Sequence, residues 1–166
     1  MEHRISLLAN KLKAPFLCLL LVLLLNSCTN TNLADVNMAV PDNSWMYSKS
    51  VKAAVEIKDA SLAYNISFKI RNTADYRYSN IYVIMRLKSG MTFLKDGRHQ
   101  FQLAKAEGQW TGKGSGDLYS NTFPLLKNFR FPKAGKYEIE VEQNMRDNPL
   151  VGISDVGITV ESISKN

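Results

Sequence analysis

An all-β fold is predicted from this sequence: an antiparallel β-sandwich of about seven or eight short strands, with a β-barrel as the alternative closure. Two observations lead there. Apolar and polar residues alternate with a period of two in several segments, which is the pattern of a strand with one buried face. Clusters of Gly, Pro, Asn and Asp separate those segments at short intervals, and no long helical stripe intervenes. Amphipathic antiparallel sheets must cover their apolar sides, and packing two of them face to face does so.

Before the strands comes a different kind of segment. His3, Arg4, Lys11 and Lys13 form a basic start, and a leucine-rich apolar run follows from Ala14 to Leu25. Basic flank then apolar run is the layout of an export signal. As a helix, the run would span roughly 18 Å against a hydrocarbon core of about 30 Å, too short for a permanent crossing. The run ends in Leu25-Asn26-Ser27-Cys28, which resembles the lipobox of bacterial lipoproteins. An aliphatic residue stands three before the cysteine and a small one directly before it, although Asn26 departs from the usual small residue between them. Residues 1–27 are therefore expected to be a signal peptide cut between Ser27 and Cys28, with Cys28 acylated. Two or three acyl chains on that residue would hold the protein on a bilayer, where one chain binds only marginally.

Thr29-Asn30-Thr31-Asn32 continues as polar chain, so residues 28–35 are expected to be the lipidated cysteine and its tether, and residues 36–166 a single sandwich domain. No acid directly follows Cys28 to resemble an inner-membrane retention signal, and no acidic stretch resembles a surface-export signal. An outer-membrane location on the periplasmic face is the expectation.

Within the domain, Leu62, Tyr64, Ile66, Phe68 and Ile70 share one face of a strand. Alternation recurs over Ile81–Leu87 and over Tyr137–Glu142, where Glu138, Glu140 and Glu142 point the other way. Shorter strands fit Ser50–Ile57, Gln100–Leu103, Leu125–Phe131 and Val156–Ile163. An apolar content of 45% with 22% charged residues suits one packed core. With Cys18 inside the leader, Cys28 is the one mature cysteine, so the domain is stabilised by packing and not by an internal disulfide or a thiolate zinc site.

Charge excludes one class of function. The net charge of +6 falls to +4 without the leader, with 18 basic against 14 acidic side chains. These are interspersed, whereas nucleic-acid binding requires a basic stripe. Catalytic apparatus is equally thin. His99 is the one mature histidine, no Gly-x-Ser-x-Gly elbow accompanies it, and its alternation with Phe101 and Leu103 reads as an exposed strand position. Gly108 to Asp117 has superficial likeness to a phosphate-binding loop, but the glycine spacing is one short and Gly114 replaces the hydroxyl residue after Lys113. Loop glycines and turn-forming Asp75, Asp117, Asp147 and Asp155 are the simpler reading, with no metal or cofactor. Trp45, Tyr76, Tyr78, Trp110 and Tyr119 suit either a sugar- or peptide-binding surface or partial burial in the core.

Recognition is expected in the loops at Asn72–Asn80, Gly112–Tyr119 and Asn144–Leu150, where polar groups, glycines and aromatics combine. Tyr76, Trp110, Tyr119 and Arg146 are the candidate partner-binding residues, Arg and aromatic side chains being favoured at interface centres.

Three segments, Ile70–Asn80, Gly108–Tyr119 and Phe131–Gly157, together with the lipobox, resemble the gliding-motility lipoproteins in their H-type. The resemblance covers essentially the whole precursor. It implies an outer-membrane lipoprotein required for surface gliding in Bacteroidetes-type bacteria, a motility linked to a dedicated secretion machinery. It also implies no enzymatic activity, with the lipid bilayer and other gliding or secretion proteins of the envelope as partners. A sandwich module that binds a glycan or peptide is the alternative.

Overall fold

A computed structural model describes residues 32–163, apart from the side chain of Ser115. The expected leader, the Ser27–Cys28 cleavage and acylation site, and the first four tether residues lie outside the described residues.

Eleven strands are described: β1 (Asn32–Ala39), β2 (Ser44–Trp45), β3 (Val51–Ile57), β4 (Ala63–Thr73), β5 (Asn80–Ser89), β6 (Thr92–Gln102), β7 (Lys113–Ser115), β8 (Leu118–Phe129), β9 (Gly135–Gln143), β10 (Leu150–Val151) and β11 (Ile153–Ile163). One sheet has the order β1-β11-β4-β8-β7, the other β3-β9-β5-β6, and β10 pairs with β2 in a small ribbon. Every pairing is antiparallel. The two sheets pack face to face as a sandwich, with no closed barrel.

The alternating segments form the core. Tyr64, Ile66, Phe68 and Ile70 of β4 are buried, as are Ile81, Val83, Met85 and Leu87 of β5, and Tyr137, Ile139 and Val141 of β9. Phe68 sits at the centre, fully buried, with its ring 6.2 Å from that of Trp45 and 6.1 Å from that of Phe101. Phe101 in turn stacks on Phe123 at 4.6 Å, so one aromatic column joins both sheets and the β2 ribbon.

On the outer face of the second sheet, the three glutamates meet cations across the strands. Arg86 lies 2.7 Å from Glu142, Lys88 3.2 Å from Glu138 and 3.3 Å from Glu140, and Lys52 3.4 Å from Glu140. Opposite charges on neighbouring strands favour this register. Burial alone would raise the Glu140 carboxyl, but hydrogen bonds from Ser50 and Lys88 and the charge of Lys52 leave it below its ordinary value.

The structure extends several expected elements for physical reasons. Residues 32–35, read as tether, are paired strand, because β1 covers the edge of β11 and Leu33 and Val36 pack on the core. Strand β8 begins at Leu118, seven residues before the expected start. Pro124 sits within it because β7 pairs only with Leu118–Ser120, so Pro124 lies on an open edge that needs no ladder donor. Strand β6 likewise begins at Thr92, beyond a bulge where Leu87 pairs with Lys95 but Lys88 pairs with Phe93.

His99 is half-buried on the inward side of β6 and stacks on Phe101 with ring centroids 6.0 Å apart, which corrects the expectation of an exposed position. His99 lies in a strand as expected, but on its inward face. Burial, with a smaller effect of the Lys95 charge, lowers its pKa from the ordinary 6.5.

Antiparallel pairing divides the domain into two ends. Strands β1, β4, β6 and β9 begin at the end where β3, β5, β8 and β11 finish. The eleven residues of β4 set the ends about 35 Å apart.

Phe68→Ala in the Thr31–Asn166 fragment should lower stability by about 3–5 kcal/mol through loss of buried ring contacts, and Phe68→Asp should prevent cooperative folding. A denaturant midpoint like wild type for either would contradict the inward assignment. Since the folded chain binds the His99 proton more weakly than the unfolded chain, stability should rise with pH in this region and fall as pH drops below 6.5. His99→Gln should flatten that limb of the melting-temperature profile, and an unaltered slope would assign it to other groups.

Candidate functional site

Loops from both sheets meet at the end away from the start of β1. The β4–β5 connection is held by Ala74 N–H donating to the Asp117 carbonyl at 2.9 Å, and by Leu103 and Ala104 N–H donating to the Ser79 carbonyl at 2.7 and 2.9 Å. Tyr78 donates its hydroxyl to Asp147 at 2.7 Å, joining this connection to the chain after β9. That hydrogen bond, with burial and the Asp147 charge, raises the Tyr78 pKa. All three loops expected from sequence are thus brought together.

Gln143 organises the last of them. Its side chain is buried at the end of β9, donates to the Asp147 carbonyl at 2.9 Å and accepts from Met145 N–H at 2.9 Å. Tyr47 adds a hydroxyl bond to the Met145 carbonyl at 2.5 Å, and its N–H donates to Asn148 Oδ1 at 3.0 Å. Arg146 is exposed at the loop surface between these fixed points.

Tyr76 does not share that position. Only 4% exposed, it packs against Tyr78 and Trp110 with centroids 5.7 and 6.4 Å away, and donates its hydroxyl to the Asn80 carbonyl at 2.9 Å. Burial, with smaller effects of Tyr78 and Asp147, pushes its phenol pKa well above 10. Tyr76 is thus not the exposed loop aromatic that the sequence suggests, and it fills the space beneath that loop. Gly152 permits the fit, since it has φ +90° and a Cβ there would lie 2.7 Å from the Tyr76 Cα.

Trp110 and Tyr119 are half-buried against each other at 5.5 Å. The surrounding glycines serve backbone geometry. Gly108 and Gly116 take φ of +86° and +62° in turns, and a Cβ on Gly112 would fall 2.7 Å from Asn121 Nδ2. Lys113 begins β7, so the segment is a strand hairpin. Of the aspartates, Asp75 is an exposed loop residue, Asp117 lies in the β7–β8 turn, Asp147 accepts from Tyr78 and Asp155 sits 3.4 Å from Arg71.

One feature of this end has no counterpart in the sequence reading. A cleft of about 400 Å³ opens beside the β2–β10 ribbon, lined chiefly by Met38, Val40, Pro41, Trp45, Met46 and Pro149. Met46, Tyr47 and Val151 expose large apolar area near it. Strands of two residues carry too little alternation to signal such a surface in advance.

Gln143→Leu should leave the Met145 N–H and Asp147 carbonyl without their buried partner, a cost of about 1–3 kcal/mol. Hydrogen exchange should show faster exchange at Met145, and unchanged protection there would remove Gln143 from its organising role.

The chain is similar to two curated proteins over nearly its whole length. It is 28% identical over 153 residues to the gliding motility lipoprotein GldH homolog of Christiangramia forsetii, covering 88% of this chain and 93% of that protein. It is 25% identical over 158 residues to gliding motility lipoprotein GldH of Flavobacterium johnsoniae, covering 91% and 98%. Among solved structures, a carbohydrate-binding module with specific mannan recognition aligns at TM-score 0.44 and 14% identity, covering 80% of this chain and 73% of that one. A module specific for non-crystalline cellulose aligns at TM-score 0.40 and 8% identity, covering 84% and 78%. The profile of the GldH lipoprotein family matches residues 32–160, and this chain belongs to that family.

Proposed function

We propose that this lipoprotein is a non-catalytic assembly or interaction component of the gliding machinery, held in the outer membrane through acylated Cys28 with its domain on the periplasmic side. The observation that carries the reading is the convergence of three loops and an apolar cleft at the end of the sandwich opposite the start of β1. A domain tethered at one end offers its far end to partners in the envelope. Gln143, Tyr47 and Tyr78 fix the backbone there, so less ordering entropy opposes binding.

Trp110, Tyr119 and Arg146 are proposed partner contacts, together with Met46 beside the cleft. The alternative, glycan binding, needs open aromatic faces. Trp45 and Tyr76 are buried, Tyr78 is tied to Asp147, and Trp110 and Tyr119 expose only part of their rings, enough for a side chain but not for an open sugar platform. A protein segment with an apolar side chain for the cleft fits this end better.

Arg146→Ala and Met46→Ser should each slow or abolish gliding in cells whose native copy is replaced, with melting temperature and lipoprotein abundance little changed. Both side chains are largely exposed, and surface substitutions usually alter stability by less than about 0.5 kcal/mol. Normal movement in both variants, or loss that merely tracks protein level, would remove this end as the recognition site.

A further inference from the structure

The other end of the sandwich has features of its own. Met91 stands at the β5–β6 turn and is 98% exposed, while Phe93 is 59% and Leu94 37% exposed just after it. Large apolar side chains this open, adjacent in one hairpin tip, are not explained by the core. The strand-end segments 58–62, 88–95 and 130–136 contain six basic residues, Lys58, Lys88, Lys95, Arg130, Lys133 and Lys136, against Asp59, with Glu161 a second acid nearby on β11. Lys88 is engaged by Glu138 and Glu140; Lys58, Lys95, Lys133 and Lys136 are exposed.

Covalent connection locates this end relative to the anchor. β1 begins there at Asn32, paired with Glu161. Cys28 is four residues earlier, so even a fully extended chain keeps it within about 14 Å of Asn32. β1 packs over β3, at the opposite edge of the sandwich from β6. Three strand spacings separate β3 from β6, about 14 Å. Asn32, where the described chain begins, and the apolar tip at Met91 thus lie on the same end of the sandwich.

We infer that this end lies on the phospholipid surface, with Met91, Phe93 and Leu94 inserted as a second, non-covalent membrane contact beside acylated Cys28. The inference rests on the proposed anchor. Apolar side chains flanked by lysines match the acyl-to-phosphate boundary of a bilayer, where long basic side chains reach phosphates while their neighbours enter the apolar layer. The contact restricts rotation about the short tether and directs the cleft and Arg146 away from the bilayer.

The test uses the full chain, expressed in a lipoprotein-processing bacterium as Met91→Cys, Phe93→Cys and Asp75→Cys variants. The acyl mass on Cys28 is first measured by mass spectrometry. Each new thiol then receives an environment-sensitive fluorophore, and the protein is reconstituted into vesicles of phosphatidylethanolamine and phosphatidylglycerol containing nitroxide-labelled lipid. Probes at Met91 and Phe93 should shift to the blue and be quenched by the lipid nitroxide, while the probe at Asp75, at the far end, should be quenched by aqueous iodide. Acylated protein with Met91 and Phe93 as accessible to iodide as Asp75 would overturn the membrane contact and leave the anchor standing. Shielding from iodide without nitroxide quenching would assign the tip to protein association and also overturn it. Absence of acyl mass on Cys28 would overturn the anchor and, with it, this inference.

Discussion

The fold depends on contact between two sheet faces around Phe68. With no cysteine among residues 32–163, no covalent bridge joins the sheets. Trp45, Phe68, Phe101 and Phe123 take that position instead, each contributing a large apolar ring that must find room between neighbours. Close packing leaves such a column little freedom, so strand register in one sheet constrains the other. The β2 ribbon is included through Trp45, whose indole N–H donates to the Lys49 carbonyl at 2.5 Å. The cleft beside that ribbon therefore rests on the central core.

Polar constraints complement this column. Outside the second sheet, Arg86, Lys88 and Lys52 answer the glutamates of β9. Partly exposed ion pairs each contribute little to stability, and their value here is in opposing register slips that would set like charges together. At the loop end the polar groups go inside. Gln143 is satisfied, whereas Asn72 Oδ1 and Asn121 Nδ2 are buried without a hydrogen-bond partner among the described residues. Among the described residues, those two orphaned groups leave this end less completely satisfied than the middle of the sandwich.

The central strands were legible in the sequence because each has one buried face and period-two alternation reports that directly. β4, β5 and β9 all have the inward residues expected of them. Edge and ribbon strands were not legible. β1 has a half-buried face, β7 and β10 are too short for a pattern, and Pro124 interrupts β8 where its edge is open. The candidate site divides in the same way. Turn chemistry located the loops, but the burial of Tyr76 depends on Gly152 and Trp110, which approach it only after folding. Met46 and the cleft arise from a two-residue strand paired across more than a hundred positions.

Antiparallel pairing has a consequence beyond packing: the long strands run between the same two ends, and sequence distance is no guide to which end a residue occupies. Asn32 and Met91 are far apart in the chain yet share one end, while Met46, Trp110 and Arg146 share the other. On the proposed anchoring the two ends would have unlike surroundings, since four residues after an acylated Cys28 could not reach past one end of a sandwich about 35 Å long. The proposed lipid contact at Met91 and the proposed partner contact at Arg146 therefore call on opposite ends of the same strands. Strand polarity, set by β1 pairing with β11, is what places Asn32 at one end and the loops around Tyr76 and Arg146 at the other.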